Sequence, residues 1–285
     1  MTKTLEAKPE HAKQIIDLFK KVYKSHSLIK YGKKSLEDNL AKNEYHSFIL
    51  QNDKEIIGHG GIRIIKDIAI LDSLVVDPRY RNKGFGREIF QERLKFCENK
   101  KNLTHIACYT VMQHLGSQKL YSQAFKPIGI TLNRNDAYTD EDSVFNQGSS
   151  NGELVLCKPL TEKIITFPVS YKGILEKEIK KRYLDIKILP QFMKNDKKQG
   201  TELLDDYIEV DLSNPSSTAQ LKIIEKENYV CLGIYPSFTN GLFTLAFKRK
   251  GKYSINSSKL KTNNDERKRF LENILEKLLT SDPLV

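Results

Sequence analysis

Apolar positions recur at helical and strand spacing along most of the chain and predict alternating helices and strands. Near-helical spacing over 9–22 predicts a first helix. Residues 35–40 predict a second helix, with Ser35 as its N-cap. Two apolar runs, 48–50 and 56–64, flank a short polar turn and therefore predict a β-hairpin.

A third strand is predicted over 68–76, and it ends at Asp77-Pro78 because proline cannot continue a central strand. An amphipathic helix follows over 86–97. The next predicted elements are a strand, a short helix, a strand, a polar loop and a strand, at 103–112, 117–123, 125–130, 133–152 and 154–157.

The rest of the chain predicts a second, smaller unit. Its helices fall at 171–182, 217–226 and 265–279, its strands at 207–210, 230–234 and 243–247, and polar segments at 190–205 and 254–264. The pattern therefore predicts an α/β fold with a mixed sheet and two domains, residues 1–159 and 160–285.

Composition narrows the class of protein. Of the 285 residues, 39% are apolar and 29% charged, which excludes wholesale disorder. No apolar run approaches the roughly 18–20 residues that span a bilayer. The first residues lack the apolar stretch of a secretory signal peptide. We therefore expect a cytoplasmic protein without a membrane span.

The four cysteines are Cys97, Cys108, Cys157 and Cys231, and their spacing fits no zinc or redox motif. We expect them to be reduced, buried thiols, and we expect no metal site. Cys108 is accordingly not needed as a nucleophile.

The net charge of +11 suggests an anionic partner, but the excess is spread evenly. Residues 1–160 carry 25 basic against 19 acidic residues, and residues 161–285 carry 22 against 17. Because no dense basic block exists, we do not expect nucleic acid as a partner. A small phosphate-bearing ligand would use the same sign of charge locally.

The segment between the third strand and the next helix carries the chemistry. It follows the strand end Leu74, Val75 and Val76, and contains Arg81, Asn82, Lys83, Gly84, Phe85, Gly86 and Arg87. Backbone N–H groups at a helix N-terminus bind phosphate, and glycines let it approach closely. The spacing is neither that of a dinucleotide fingerprint nor that of a P-loop. An ordinary turning loop is the alternative interpretation.

Arg81-x-x-Gly84-x-Gly86 resembles the [Q/R]-x-x-G-x-[G/A] signature of the GNAT superfamily of acyl-CoA N-acyltransferases. The preceding strand end is similar to that family's L-x-V-x-P-x-[YF] pattern. Downstream, His114, Ser117 and Tyr121 fall at the positions of the family's Asn, small residue and Tyr. His in place of Asn, and Ala124-Phe125 in place of Gly-Phe, are departures. The resemblance covers residues 1–157.

The resemblance implies a sheet splayed between the strand ending at Val76 and the strand near Cys108, with acetyl-CoA bound in the splay. Pantetheine would pair with the backbone of Leu74–Val76, the pyrophosphate would lie on the amides of 81–86, and His114 and Ser117 would contact the cofactor. The reaction implied is direct attack of a primary amine on the thioester. The acceptor could be a small molecule, a peptide or a protein lysine.

Acid–base chemistry needs a proton donor for the thiolate, a base for the amine and an N–H donor for the oxyanion. The motif position of Tyr121 implies the acid, against the alternative of a packed aromatic. The N–H of Val76 or a neighbour would serve the oxyanion. The base stays open: Asp72 is a candidate, against a solvated polar residue, and His59 is another, against a structural histidine.

The second unit has no counterpart of the phosphate loop; the nearest segment is 195–200. Residues 228–236 resemble a strand of tandem GNAT proteins, which implies a degenerate GNAT-like domain that covers the acceptor site or forms a homodimer interface. An unrelated α+β domain is the alternative. Tyr235, Phe238, Asn240 and Phe243 are either pocket residues or core.

Two functions remain open from the sequence. The first is an acetyl-CoA-dependent N-acetyltransferase. The alternative is a non-catalytic acyl-CoA-binding regulatory or scaffold protein that keeps the loop but has lost turnover.

Overall fold

The structure is a computed structural model. It describes residues 2–23, 26–42, 45–112, 115–121, 124–131, 153–161, 166–167, 191–192, 207–212, 214, 217–236, 243–249, 262 and 265–279. The predictions for 133–152, 171–182 and 254–264, and those for His114, Phe238 and Asn240, lie outside these residues. The side chains of Tyr235 and Phe243 lie outside them too.

The N-terminal part alternates strands and helices. A 3-10 turn at Pro9–His11 precedes α1, and another, Pro78–Tyr80, follows β4. The elements in chain order are β1 (Thr2–Glu6), α1 (Ala12–Val22), α2 (Ser27–Leu40), β2 (Tyr45–Asn52), β3 (Glu55–Ile65), β4 (Ile68–Val76), α3 (Phe85–Glu98), β5 (His105–Val111), α4 (Gly116–Leu120), β6 (Lys126–Thr131) and β7 (Glu153–Pro159).

The C-terminal part adds five strands and two helices among the described residues. They are β8 (Thr166–Phe167), β9 (Gln191–Phe192), β10 (Tyr207–Asp211), α5 (Ser217–Lys226), β11 (Tyr229–Pro236), β12 (Phe243–Arg249) and α6 (Asp265–Leu279). The short strand β9 corrects the prediction of a continuous loop over 190–205. None of the helices in the described ranges is long and apolar enough to cross a membrane.

The predicted mixed α/β sheet is confirmed. Ten strands form one sheet in the order β1-β2-β3-β4-β5-β7-β6-β11-β12-β10, and β8 and β9 pair separately. The pairs β1–β2, β2–β3 and β3–β4 are antiparallel, whereas β4–β5 is parallel. The parallel pair requires a crossover, which α3 provides.

Helices cover both faces of the N-terminal half of this sheet. Ile49 packs with α1 and α2, and the adjacent Leu50 packs in the cluster that includes Ile89 of α3. Successive strand residues point to opposite faces, so the apolar runs of β2 and β4 reflect strands buried on both sides.

One prediction about the N-terminal elements was wrong, and one strand was missed. The helix α2 begins at Ser27, with His26 as the N-cap that accepts from the Leu28 N–H, so Ser35 lies inside it. Gly32 (φ 76°) interrupts that helix, and this break hid the first turns from the periodicity. The strand β1 was not predicted, since its five residues are mostly polar and it is defined by pairing with β2.

The sheet runs continuously into the C-terminal part through β6 and β11. These strands pair antiparallel at Gly129 and Gly233. Both halves contribute buried residues to one hydrophobic cluster, including Ile128 of β6 and Leu232 of β11.

Candidate active site

The strands β4 and β5 separate at the carboxyl end of β4. Their parallel pairing runs from Ile68–His105 to Leu71–Cys108 and stops there. Among the described residues, no ladder pair joins 72–76 of β4 to 109–111 of β5. The splay expected from the resemblance is therefore present, and it leaves one backbone edge of 72–76 without a β5 partner.

A bulge in β4 lies within this splay. The register with β3 shifts between His59–Val75 and Gly61–Asp72, so β4 carries an extra residue. Ser73 takes a left-handed conformation there (φ 52°). Bulges redirect backbone groups, and this one lies next to Leu74, Val75 and Val76. Val75 faces α1, whereas Leu74 and Val76 pack on the α3 side.

The loop before α3 presents backbone donors and positive charge to solvent. Gly84 is the N-cap of α3 with φ 86°, and Asn82 also has positive φ (63°). The carbonyl of Gly84 accepts from the N–H groups of Arg87 and Glu88. The first N–H groups of a helix have no intrahelical acceptor, so this end attracts anions. The side chains of Arg81, Asn82, Lys83 and Arg87 are exposed, and Phe85 is half-buried.

Gly86 of α3 borders a groove between Val76 at the end of β4 and Leu120 of α4. A Cβ on Gly86 would lie 3.8 Å from Val76 Cγ2 and 3.9 Å from Leu120 Cδ1, so this glycine borders both walls. The hydroxyl of Ser117 is buried and has no hydrogen-bond partner among the described residues. A buried, unsatisfied hydroxyl is costly, which fits a site whose ligand supplies the partner.

Tyr121 is at the C-terminal end of α4 with its hydroxyl inside the protein. Its side chain is 3% exposed, and its ring meets those of Phe90 and Phe125 edge-on, with centroids 5.0 and 5.2 Å away. Burial raises the pKa of Tyr121 to about 12. The phenol therefore keeps its proton at neutral pH, as a general acid must.

Arg93 of α3 joins Tyr121 to the bulge, and sequence reasoning missed it. Its Nη2 donates to Tyr121 Oη at 3.2 Å, and its Nη1 donates to the carbonyls of Gly61 and Asp72, both at 3.1 Å. Arg93 is fully buried. Arg93 lies four residues after Ile89 and four before Cys97, so helical spacing places this cation on the apolar face of α3. That pattern could have identified Arg93 from the sequence.

Asp72 faces a second polar group, Tyr45 of β2. A Cβ on Gly61 would lie 2.2 Å from Asp72 Oδ1 and 2.6 Å from Tyr45 Oη, so both oxygens flank the space that Gly61 leaves open. Neither atom has a hydrogen-bond partner among the described residues. Arg63 Nη2 lies 3.7 Å from Asp72 Oδ2. Burial raises the pKa of Asp72 and that of Tyr45.

His59 is buried beneath the bulge, and both of its ring nitrogens are hydrogen-bonded. Nδ1 donates to the carbonyl of Ser73 at 2.9 Å, which leaves Nε2 to accept from the hydroxyl of Ser47 at 2.7 Å. Burial lowers the pKa of His59 to about 4. The neutral ring thus holds the left-handed residue of β4 from the α1 side, where Phe19 packs against it.

An ion-pair cluster fixes the turn between β4 and the loop. Asp77 is buried and accepts from the Arg79 N–H, while its Oδ2 lies 2.8 Å from Arg79 Nη2 and 3.2 Å from Lys21 Nζ. Arg79 also contacts Glu55 at 2.6 Å. The hydrogen bonds from Arg79 are the main cause that holds the pKa of Asp77 well below its usual range. The loop is therefore anchored to both α1 and β3.

The predicted cysteine state agrees with the structure, since Cys97, Cys108, Cys157 and Cys231 are all free and buried. Burial raises the pKa of Cys108 well above its usual range, so this thiol is poorly suited to act as a nucleophile.

The site thus combines a splayed mixed sheet, a helix N-terminus that attracts anions and a buried phenol. Residues 12–125 match the model of the Acetyltransferase (GNAT) family. The chain therefore carries a GNAT domain.

Among curated proteins, the chain is similar to the putative [ribosomal protein bS18]-alanine N-acetyltransferase of Bacillus subtilis. The two are 27% identical over 112 residues, which cover 39% of this chain and 72% of that protein.

Solved structures similar to this one include the ribosomal-protein-S18-alanine N-acetyltransferase from Escherichia coli, at 16% identity and a TM-score of 0.46, covering 57% of this chain and 96% of that one. The PaiA N-acetyltransferase from Thermoplasma acidophilum in complex with coenzyme A is 19% identical, with a TM-score of 0.41, covering 56% of this chain and 99% of that one. The assignment of a GNAT domain rests on the match over residues 12–125.

Proposed function

We propose that this protein is an acetyl-CoA-dependent N-acetyltransferase that acts on a primary amine in the cytoplasm. One observation carries the proposal: the β4–β5 splay opens next to the exposed N-terminus of α3, with the buried Tyr121 hydroxyl held by Arg93. These features supply a place for the cofactor and a proton for its leaving group.

The cofactor would be held by the residues of the loop and the groove. The backbone amides of 82–86 and the side chains of Arg81, Lys83 and Arg87 suit a pyrophosphate. The edge of 74–76 that lacks a β5 partner suits an extended pantetheine arm, with Arg81 Nε donating to the carbonyl of Val76 beside it. The hydroxyl of Ser117, which has no hydrogen-bond partner among the described residues, suits a polar group of the ligand. Acetyl-CoA supplies the activated thioester.

Tyr121 would act as the acid. Arg93 donates to the phenolic oxygen, so the proton of Tyr121 remains available to another acceptor. The same guanidinium stabilises the phenolate that remains after proton transfer. The buried site strengthens that interaction.

Asp72 would act as the base, with Tyr45 beside it. Burial raises the pKa of Asp72, so this pKa lies nearer to the pKa of an amine and the carboxylate is a better base. Its unsatisfied Oδ1 and the hydroxyl of Tyr45 lie on the α1 side of the sheet, whereas Tyr121 lies on the α3 side. The amine and the cofactor can therefore approach the bulge from opposite faces.

The proposed step forms one N–C bond and breaks one C–S bond. The amine nitrogen attacks the acetyl carbon, a proton leaves the nitrogen for Asp72, and the departing thiolate takes the proton of Tyr121. The backbone N–H of Val76 or a neighbour in the bulge would donate to the carbonyl oxygen as it gains charge.

The acceptor would be an amine of a small molecule, a peptide or a protein. The Bacillus subtilis relative is described as acting on an alanine of a ribosomal protein. A peptide with an N-terminal alanine is therefore the first acceptor to test, followed by free polyamines and lysine peptides. Residues 1–159 would form the catalytic domain, and 160–285 an accessory GNAT-like domain that contributes to the acceptor site or a homodimer.

Calorimetric titration with acetyl-CoA, followed by a turnover assay on that acceptor panel, tests the proposal. We expect one site per chain and turnover by the wild type. Tyr121→Phe should lower kcat by about 100-fold. Tyr31→Phe is the matched control, because Tyr31 is 73% exposed on α2, and it should leave kcat unchanged.

Absence of acetyl-CoA binding would refute the proposal. Tight binding with no turnover on any acceptor would favour the non-catalytic regulator instead.

A further inference from the structure

A buried arginine of the C-terminal part reaches the segment that carries Tyr121. Arg267 lies in the first turn of α6 and is 1% exposed. Its Nη1 donates to the carbonyl of Gln118 at 2.6 Å, and its Nη2 donates to the carbonyl of Phe125 at 3.5 Å. One guanidinium thus contacts the chain on both sides of Tyr121.

These two carbonyls belong to residues that lie on either side of Tyr121 in the chain. Gln118 is in α4, and the last carbonyls of a helix have no N–H donor within the helix and carry partial negative charge. Phe125 immediately precedes β6, and its ring packs edge-on against that of Tyr121. A planar guanidinium with fixed donor directions can hold both carbonyls at a set separation.

The helix α6 packs firmly against the rest of the protein and so fixes the position of Arg267. Leu271, Ile274 and Leu275 of this helix are buried in the hydrophobic cluster that also contains Tyr121 and Phe125. Glu266, the neighbour of Arg267, lies 3.0 Å from Lys126 at the start of β6. The arginine is therefore fixed relative to the sheet and not carried on a loose segment.

The burial of Arg267 is costly, and stability alone does not account for it. Burial lowers the pKa of this guanidinium, which reflects the loss of water around the charge. Apolar residues of similar volume often replace buried charged groups without loss of stability. What an apolar residue could not do is hold the two carbonyls that flank Tyr121.

We propose that Arg267 is a positioning residue for Tyr121, so that the C-terminal part completes the acid side of the active site within the same chain. This inference rests on the proposed function. Arg267 would not touch the cofactor; it would act by holding Tyr121 against Arg93 and the reacting thioester.

A double-mutant cycle on the full chain tests this role. Arg267→Lys keeps the charge and loses the two-pronged contact. Arg269→Lys makes the same change two residues away on α6, where the Nε of Arg269 donates to the carbonyl of Asp265 in its own helix. We expect Arg267→Lys to lower kcat by about tenfold or more, with the KM for acetyl-CoA changed less than about twofold. Arg269→Lys should match the wild type.

The Tyr121→Phe background separates positioning from general damage. If Arg267 acts through Tyr121, Arg267→Lys should add no further loss of kcat once the hydroxyl is gone. Losses that multiply in the double variant would overturn the inference, and so would an equal loss in Arg269→Lys.

Hydrogen exchange followed by mass spectrometry gives a readout that does not depend on turnover. The amides of 115–121 and 124–131 should exchange faster in Arg267→Lys than in wild type or Arg269→Lys. Unchanged exchange would overturn the inference even if the enzyme is active. If the wild type shows no turnover, the proposed function fails, and the exchange result alone decides whether Arg267 holds this segment.

Discussion

Gly84, the N-cap of α3, and Gly86, in the first turn of that helix, differ in what a side chain would meet. Gly84 has φ 86° and open space around its missing Cβ, so its need for glycine is conformational. Gly86 has no positive φ, and its missing Cβ borders the groove formed by Val76 and Leu120. A methyl group fits there without a clash, and a larger side chain would occupy the space proposed for the cofactor.

We predict that Gly86→Leu folds but loses acetyl-CoA binding. The fold should be retained because the nearest atoms lie at ordinary contact distance, and a helix gains about 0.5–1 kcal/mol when glycine is replaced by a better helix former. Calorimetric titration should detect a loss of affinity of at least about 100-fold, with the melting temperature unchanged or higher.

Gly84→Ala is the informative comparison, because it should lower stability by about 1 kcal/mol through backbone strain. Unaltered affinity in Gly86→Leu would place the cofactor elsewhere.

At the scale of elements, the β4 bulge depends on two buried side chains from opposite faces of the sheet. His59 holds the carbonyl of Ser73 from the α1 side, and Arg93 holds the carbonyl of Asp72 from the α3 side. A left-handed serine costs about 1–2 kcal/mol and persists only where its surroundings enforce it. These two residues provide that enforcement and couple the bulge to both helical layers.

Because His59 is buried and neutral beneath the bulge, we predict that the free energy of unfolding depends on pH. The pKa of His59 is lowered to about 4 in the folded chain, against 6.5 when solvated. Between these values the unfolded chain binds the proton first, so stability should rise with pH from 4 to 6.5. At about 1.4 kcal/mol per pKa unit, the contribution of this group is about 3 kcal/mol.

Denaturant unfolding at pH 4.5 and pH 7 measures this dependence. His26 also has a pKa lowered to about 4 by burial and contributes with the same sign. His59→Gln should reduce the change in the free energy of unfolding between the two pH values and leave the part that His26 contributes. His26→Gln should remove that part and leave the contribution of His59. An unchanged slope in His59→Gln would show that its ring is not neutral and buried as described.

Elements with strong local patterns could be predicted from the sequence. The hairpin of β2 and β3, the end of β4 before Pro78, and α3 each follow from periodicity or a turn residue, and the loop residues 81–87 follow from motif spacing. Contacts between distant elements could not be predicted. Arg93 lies 28 residues from Tyr121 and Arg267 lies 149 residues from Gln118 in sequence, and only the folded sheet brings them together.

At the scale of the whole molecule, the two parts of the chain are joined at a very close approach. Gly233 lies in β11 where the register with β12 shifts, and it pairs with Gly129 of β6. Tyr109 of β5 also donates to the carbonyl of Pro236 at 2.5 Å, across the same junction. The junction therefore adjoins the β5 side of the splay as well as the Tyr121 segment.

We predict that Gly233→Ala destabilises the protein by at least about 2 kcal/mol. Its φ of 144° disfavours any side chain, and a Cβ would lie 2.3 Å from the Cα of Gly129 and 2.4 Å from the carbonyl oxygen of Ile128. These are backbone atoms, so β6 and β11 would have to separate. Gly32→Ala is the matched control, since Gly32 has φ 76° with open space and isolates the conformational cost. Urea unfolding should show a clearly larger loss for Gly233→Ala, because only there does strain combine with a clash between strands; equal losses would mean that the two parts of the chain do not meet this closely.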